Sequence, residues 1–175
     1  MVTPFGASVA WVSAYLDSLA EGKTDTEARI EAGGISGIKG KDFARCRIST
    51  LTLTVPVEGG AGVLKHRGAD PVLSEHGKWR REHLGALNAA YGRSPYYEHL
   101  MPLIEEIYRN SEGIRLEEFN RRLLDVALGW LTPMPDAAER ERLRGVIEEK
   151  RRKTDSALSI FDVLFRLGKE GVFAL

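Results

Sequence analysis

The chain has 175 residues, 43% of them hydrophobic and 29% charged, which is typical of a globular protein with one core. Its 25 Lys and Arg residues balance 25 Asp and Glu residues, so no net charge favours nucleic acid or an anionic membrane. No apolar run reaches the roughly 20 residues that span a bilayer, and no signal-peptide pattern is seen. The lone Cys46 excludes an internal disulfide. We expect a single cytoplasmic domain over residues 1–175.

The first predicted unit is a short strand end, a turn and a helix. Pro4 and Gly6 mark the turn, and an apolar stripe follows from about Val9 to Ala20. In an α/β sheet, the loop after a strand often faces a helix N-terminus, which favours anions. Phe5 and Gly6 are therefore candidates for substrate binding. The alternative is a plain connection between two elements.

A second strand is predicted near residues 27–32, because its small apolar side chains alternate with polar ones. The segment that follows is rich in glycine and contains Gly40 and Lys41, but it does not have P-loop spacing. The position that should hold the first glycine is Ile35, and Asp42 stands where a Ser or Thr is needed. A flexible loop is the better interpretation.

Residues 43–48 form the third predicted strand, with a row of basic side chains on one face. If the strand begins near residue 39, Cys46 lies on its inward face and the other face carries a basic row of Lys39, Lys41, Arg45 and Arg47. Such a row is suited to a phosphate or carboxylate, which Arg binds through two parallel hydrogen bonds. The alternative is a solvated strand face.

Residues 51–57 show the clearest strand pattern in the chain, with an apolar side chain at every second position. A loop over residues 59–74 follows and contains Lys65, His66 and Asp70. A loop of this length without secondary structure is more often functional or mobile than a plain connection. His66 is therefore a candidate general acid or base, because the pKa of an unperturbed histidine lies near neutrality.

From about residue 75 onwards the pattern is helical. Trp79, His83, Leu87 and Tyr91 form one stripe at i+4 spacing, and Gly92 should end that helix. His83 is a second candidate acid or base, and Trp79 and Tyr91 are candidates for stacking on a sugar or base. The alternatives are a hydrogen-bonded core histidine and aromatic core packing.

These elements predict an α/β fold. Its small N-terminal sheet region holds the strands near residues 27–32, 43–48 and 51–57, and a mainly helical second half follows. Further helices are predicted for a segment that buries Leu100 and Ile104, for residues 115–130 and 137–153, and for a short tail that ends at Gly168.

Three passages, residues 46–57, 79–97 and 158–168, resemble the WbqC-like family in the form found in Bacteroidetes, in order and in spacing. Lys39 and Arg45 match the basic stretch that precedes the family's Leu-Thr-Val-Pro-Val strand. Phe43 and Ala44 replace the Arg and Asn that are usual there. The resemblance implies a part in the biosynthesis of O-antigen or other surface polysaccharides.

Two functions are compatible with this resemblance. The first is a transferase-type enzyme whose anionic substrate is a nucleotide-sugar or an acyl donor, with an unknown reaction. The second is a non-catalytic ligand-binding or scaffold protein of the same pathway. No His, Cys or carboxylate group has metal-ligand spacing, and no nucleic-acid partner is expected. The sequence leaves the cofactor and the oligomeric state open.

Overall fold

Helices make up most of the computed structural model, which describes residues 9–35, 44–48, 51–66, 68–131 and 160–173. Within those ranges the elements in chain order are α1 (Val9–Ala20), α2 (Asp25–Ile35), β1 (Arg45–Ile48), β2 (Leu51–Thr54), α3 (Trp79–Tyr91), α4 (Tyr97–Arg109), α5 (Leu116–Trp130) and α6 (Ile160–Phe173). The α/β prediction is therefore wrong, because two short strands do not form the layer on which an α/β fold is built.

The segment predicted as a strand near residues 27–32 is part of helix α2. Thr24 and Glu27 form a capping box at its start: the Thr24 backbone N–H donates to Glu27 Oε2 at 2.9 Å, and the Glu27 N–H donates back to Thr24 Oγ1 at 3.4 Å. Ala28 and Ala32 are buried at helical i+4 spacing, whereas Ile30 between them is 72% exposed. The alternating pattern of this segment is compatible with either period, and the capping box is the local signal that distinguishes the helix.

Strands β1 and β2 pair antiparallel and form a two-stranded sheet, with Arg45 opposite Thr54 and Arg47 opposite Thr52. The apolar side of β2 and the residues after it is buried, as the alternating pattern predicted: Leu53, Val55 and Val57 lie in the core. The two predicted strands of this region are therefore present, but they form a hairpin and not part of a larger sheet within the described residues.

The loop after β2 is held at its base by backbone hydrogen bonds. The Glu58 N–H donates to the Val72 carbonyl at 2.9 Å, and the Ser74 N–H donates to the Pro56 carbonyl at 2.9 Å. A short 3₁₀ turn, Val63–Lys65, buries Leu64 inside the loop. The loop therefore has structure of its own, contrary to the expectation of an irregular segment.

Asp70, near the end of this loop, caps helix α5 from a distant part of the sequence. Its Oδ1 accepts a hydrogen bond of 2.9 Å from the Glu117 N–H in the first turn of α5. Arg115, at the N-cap position, makes no side-chain cap bond, but its Nη1 donates to the Asp70 carbonyl at 2.7 Å. The loop and the helix thus stabilise each other.

The core lies where helices α3, α4, α5 and α6 meet, and α1 packs on both α2 and α6. The α3 stripe is buried, with the ring of Tyr91 stacked on that of Phe165 from α6 at a centroid distance of 4.4 Å. Helix α6 is interrupted at Gly168, whose φ of 68° is non-helical. Among the described helices, none is both long and apolar enough to cross a membrane.

Candidate functional site

Four of the residues predicted to bind substrate have no described side chain. Phe5, Gly6 and Lys39 lie outside the described residues. Arg47 belongs to strand β1, and its backbone lies opposite Thr52, but its side chain is not among those described. The predicted roles of these four residues stay predictions.

Arg45 is exposed on the outer face of the hairpin. The Val55 N–H donates to the Ala44 carbonyl at 2.8 Å, which makes the next pair, Arg45 and Thr54, a non-hydrogen-bonded pair. Side chains approach each other most closely in such a pair, and both residues are exposed, as is Thr52 two positions away. We call the surface formed by Arg45, Thr52 and Thr54 the outer hairpin face.

No carboxylate of the described residues pairs with the Arg45 guanidinium, in contrast to several other arginines of the chain. Arg29 bonds Asp25 and Asp125, and Arg80 holds Glu75 through two hydrogen bonds of 2.9 and 2.8 Å. The Arg80 bonds hold the pKa of the Glu75 carboxyl below its usual value. The guanidinium groups of Arg29 and Arg80 are thus paired with carboxylates, whereas Arg45 presents its positive charge to solvent.

His83 is buried, with 5% of its surface exposed, and both ring nitrogens have partners. Nε2 lies 3.1 Å from the Thr54 carbonyl, which can only accept, so Nε2 carries the proton and donates. Nδ1 must then accept from the Tyr108 hydroxyl at 3.0 Å. Burial lowers the pKa of His83 to about 4, although the Thr54 carbonyl acts in the opposite direction. His83 is therefore a neutral, hydrogen-bonded core histidine, which favours the structural alternative.

Trp79 and Tyr91 are also positioned as core residues. The Trp79 indole N–H donates to the Ser74 carbonyl at 2.9 Å, and its ring meets Phe119 edge-on at a centroid distance of 5.9 Å. Tyr91 has no exposed surface. A ring stacked on a ligand needs an open face, so these contacts favour the packing alternative for both residues.

His66 is the predicted catalytic residue whose side chain reaches solvent. It follows the 3₁₀ turn, where its backbone N–H donates to the Val63 carbonyl at 3.1 Å and its own carbonyl accepts from the Ala69 N–H. The backbone of His66 is therefore fixed while its ring is exposed. Both His66 and Arg45 are described, and no hydrogen bond or ion pair links them.

Sequence reasoning overlooked two residues of this region. Thr54 lies opposite Arg45 in the strand pair, and the carbonyl of Thr54 accepts a hydrogen bond from His83. It therefore connects the two residues. Tyr108, on helix α4, donates to Nδ1 of the tautomer that the Thr54 carbonyl fixes. The spacing of Leu100, Ile104 and Tyr108 places this tyrosine on the buried stripe, and that pattern could have identified it.

A separate depression of about 470 Å³ lies at the C-terminal end of helix α3. It is lined by Asn88, Ala89, Ala90, Gly92 and Arg93. The Tyr97 hydroxyl donates to Asn88 Oδ1 at 2.9 Å. One amide and one guanidinium can bind a polar group, but none of the lining side chains is suited to transferring a proton near neutral pH. In the parts of the chain described here, no three His, Cys, Asp or Glu side chains converge to hold a metal ion.

Comparison with curated proteins and with solved structures gives no match. The model of the WbqC-like protein family matches residues 38–154, which is more than half of the chain. The match includes the hairpin, the loop with His66 and helices α3 to α5, and two of the three resembling passages fall inside it. Residues 158–168, Phe5 and Gly6 lie outside it. The chain belongs to the WbqC-like protein family.

Proposed function

We propose that this chain acts in the cytoplasmic biosynthesis of O-antigen or related surface polysaccharides, where its outer hairpin face binds the anionic part of a nucleotide-sugar or an acyl donor. One observation carries the proposal: the exposed Arg45 guanidinium has no carboxylate partner among the described residues, yet it stands on an anchored strand pair. Exposed arginines on flexible segments are common, whereas one held in place is suited to binding a defined ligand.

The chemistry of the outer hairpin face fits a diphosphate, the group that nucleotide-sugars and coenzyme A thioesters share. A guanidinium binds two phosphate oxygens through parallel hydrogen bonds. The hydroxyls of Thr52 and Thr54 are exposed beside it and add neutral donors. Lys39 and Arg47 would extend the positive charge along the strand direction, as the sequence predicts.

For the reaction itself, the proposal assigns general acid/base catalysis to His66. Its ring is exposed while its backbone is fixed by hydrogen bonds, so the ring is accessible to a substrate that binds beside the loop. His83 takes no part in proton transfer in this proposal, because both of its nitrogens are occupied in the core.

The alternative function is a non-catalytic ligand-binding or scaffold protein of the same pathway. It is favoured by one specific observation: His83, the histidine connected to the outer hairpin face through Thr54, is buried and held neutral. A face with a cation and hydroxyls but no accessible acid or base binds an anion without changing it.

A thermal-shift screen with UDP, UDP-sugars, acyl-coenzyme A and pyrophosphate tests the proposed site. A ligand present at about 100 times its Kd should stabilise the fold by roughly 2.7 kcal/mol. Arg45→Ala should weaken binding about tenfold or more, because it removes charge-assisted hydrogen bonds. Arg81→Ala is the matched control, since Arg81 is exposed on helix α3. The anion site is refuted if no compound raises the Tm of the wild type. It is also refuted if a ligand raises the Tm of Arg45→Ala and of Arg81→Ala by the same amount.

Incubation of the stabilising ligand with the protein then separates the two functions. An enzyme should transfer the sugar or acyl group to an acceptor, and His66→Ala should abolish turnover while leaving the Kd unchanged. If mass spectrometry finds the ligand intact with the wild type across a panel of sugar acceptors, the non-catalytic alternative is preferred.

A further inference from the structure

The Thr54 carbonyl is directed away from strand β1 by the register of the hairpin. Because Ala44 and Val55 form a hydrogen-bonded pair, the neighbouring pair of Arg45 and Thr54 directs its backbone N–H and C=O groups outward. The Thr54 carbonyl therefore has no acceptor role within the hairpin. It accepts instead from His83 Nε2–H at 3.1 Å, which is a contact between helix α3 and strand β2.

His83 is itself held rigidly by the helical core. The Tyr108 hydroxyl donates to Nδ1 at 3.0 Å, and the Trp79 ring contacts the imidazole edge-on at a centroid distance of 5.2 Å. Tyr108 in turn packs edge-on against Phe119 of helix α5, at 5.2 Å. A chain of contacts therefore runs from α5 through α4 and α3 to the end of the hairpin that carries Arg45.

We infer that His83 is a positioning residue, which anchors the Thr54 end of the hairpin to the helical core and thereby holds Arg45 in place for its ligand. The inference rests on the proposed anion-binding role of Arg45. It assigns no proton transfer to His83. The ring is required because it donates at Nε2 to the strand while it accepts at Nδ1 from Tyr108, and a neutral imidazole does both at once.

Two amide substitutions separate the two hydrogen bonds of this ring. In His83→Gln the amide nitrogen can reach the position of Nε2 and donate to the Thr54 carbonyl. In His83→Asn the shorter side chain reaches only the position of Nδ1, so the bond to Thr54 is lost. Tyr108→Phe is the control for general loosening of the core, because it removes the hydroxyl partner of Nδ1 and leaves the bond to Thr54 in place.

The first measurement is the Kd for pyrophosphate and for UDP, determined by calorimetry. The second is hydrogen exchange of the Val55 amide, which bonds Ala44 beside Arg45. We expect His83→Asn to raise the Kd about tenfold, which corresponds to 1.4 kcal/mol, and to speed exchange of the Val55 amide. For His83→Gln and Tyr108→Phe, we expect the Kd and the exchange rate to stay within about threefold of the wild-type values.

Equal effects of His83→Asn and Tyr108→Phe on both measurements would overturn the inference, because His83 would then act only as a core residue. Faster Val55 exchange without a change in Kd would overturn its role in ligand binding. If the wild type binds neither probe while Val55 exchange still depends on position 83, the proposed function fails and the anchoring of the hairpin by His83 stands.

Discussion

Acid should destabilise this fold through His83, whose ring is held neutral in the core. Burial lowers its pKa to about 4, against 6.5 for an unperturbed histidine. Between these two values the unfolded chain binds a proton that the folded chain does not, so the free energy of unfolding decreases as the pH falls. Each pKa unit corresponds to about 1.36 kcal/mol. The decrease in the free energy of unfolding is therefore absent above about pH 6.5 and reaches roughly 3 kcal/mol near pH 4.

The measurement is urea unfolding at several values between about pH 7 and pH 4, on the wild type, His83→Gln and the control His76→Gln. His76 is exposed, so its variant should follow the wild type. The glutamine at position 83 cannot titrate. Between about pH 7 and pH 4, the free energy of unfolding of His83→Gln should therefore decrease by about 3 kcal/mol less than that of the wild type. Carboxylates with lowered pKa values, such as Asp25 and Glu75, add a loss that all three proteins share.

Parallel profiles for the wild type and His83→Gln would refute this reasoning. They would mean that the imidazole is protonated as readily in the folded chain as in the unfolded one, which is incompatible with a ring that donates to Thr54 and accepts from Tyr108. The neutral tautomer, and with it the proposed anchoring geometry, would have to be abandoned.

Two further predictions concern stability. Asp70→Ala should cost about 1 kcal/mol in urea unfolding, because helix α5 loses the acceptor for its Glu117 N–H, and Asp70→Asn should cost less because it keeps that acceptor; equal losses would contradict the capping role. Gly168→Ala should cost about 3 kcal/mol and Gly22→Ala about 1 kcal/mol, measured by thermal denaturation. Both glycines have positive φ, so both variants strain the backbone. An added Cβ at position 168 would also lie 2.5 Å from the Tyr96 ring, whereas at position 22 it would meet open space. Similar losses of stability for the two variants would rule out a steric contribution from Tyr96.

Long elements with strong periodicity were predicted well. The α3 stripe of Trp79, His83, Leu87 and Tyr91 is buried along its length, and the helix ends before Gly92 as expected. The hairpin strands lie within the predicted ranges, because alternation of apolar and polar residues is a local property that survives folding. The error at α2 arose from a short, weakly apolar segment in which Ala residues fit either period, and its Thr24 and Glu27 capping box was the better signal.

The sequence predicts only part of the geometry around the candidate site residues, because residue type does not reveal what a side chain contacts. Arg45 is exposed on its strand, as the alternating pattern suggested. His83 has the residue type of a catalyst, but its two hydrogen bonds give it the position of a core residue. Nothing local distinguishes those two outcomes, since burial is decided by the elements that pack against the helix.

By itself, the sequence determined the family, the α3 stripe, the alternating pattern of the hairpin strands and the balanced charge, since each of these is carried by neighbouring residues. Only the tertiary structure decided that the strands pair with each other alone among the described residues, and that His83 meets the Thr54 carbonyl, 29 positions away. The direction of that carbonyl depends on strand register, and its partner depends on how α3 packs on the hairpin. Neither is a property of a local stretch of sequence.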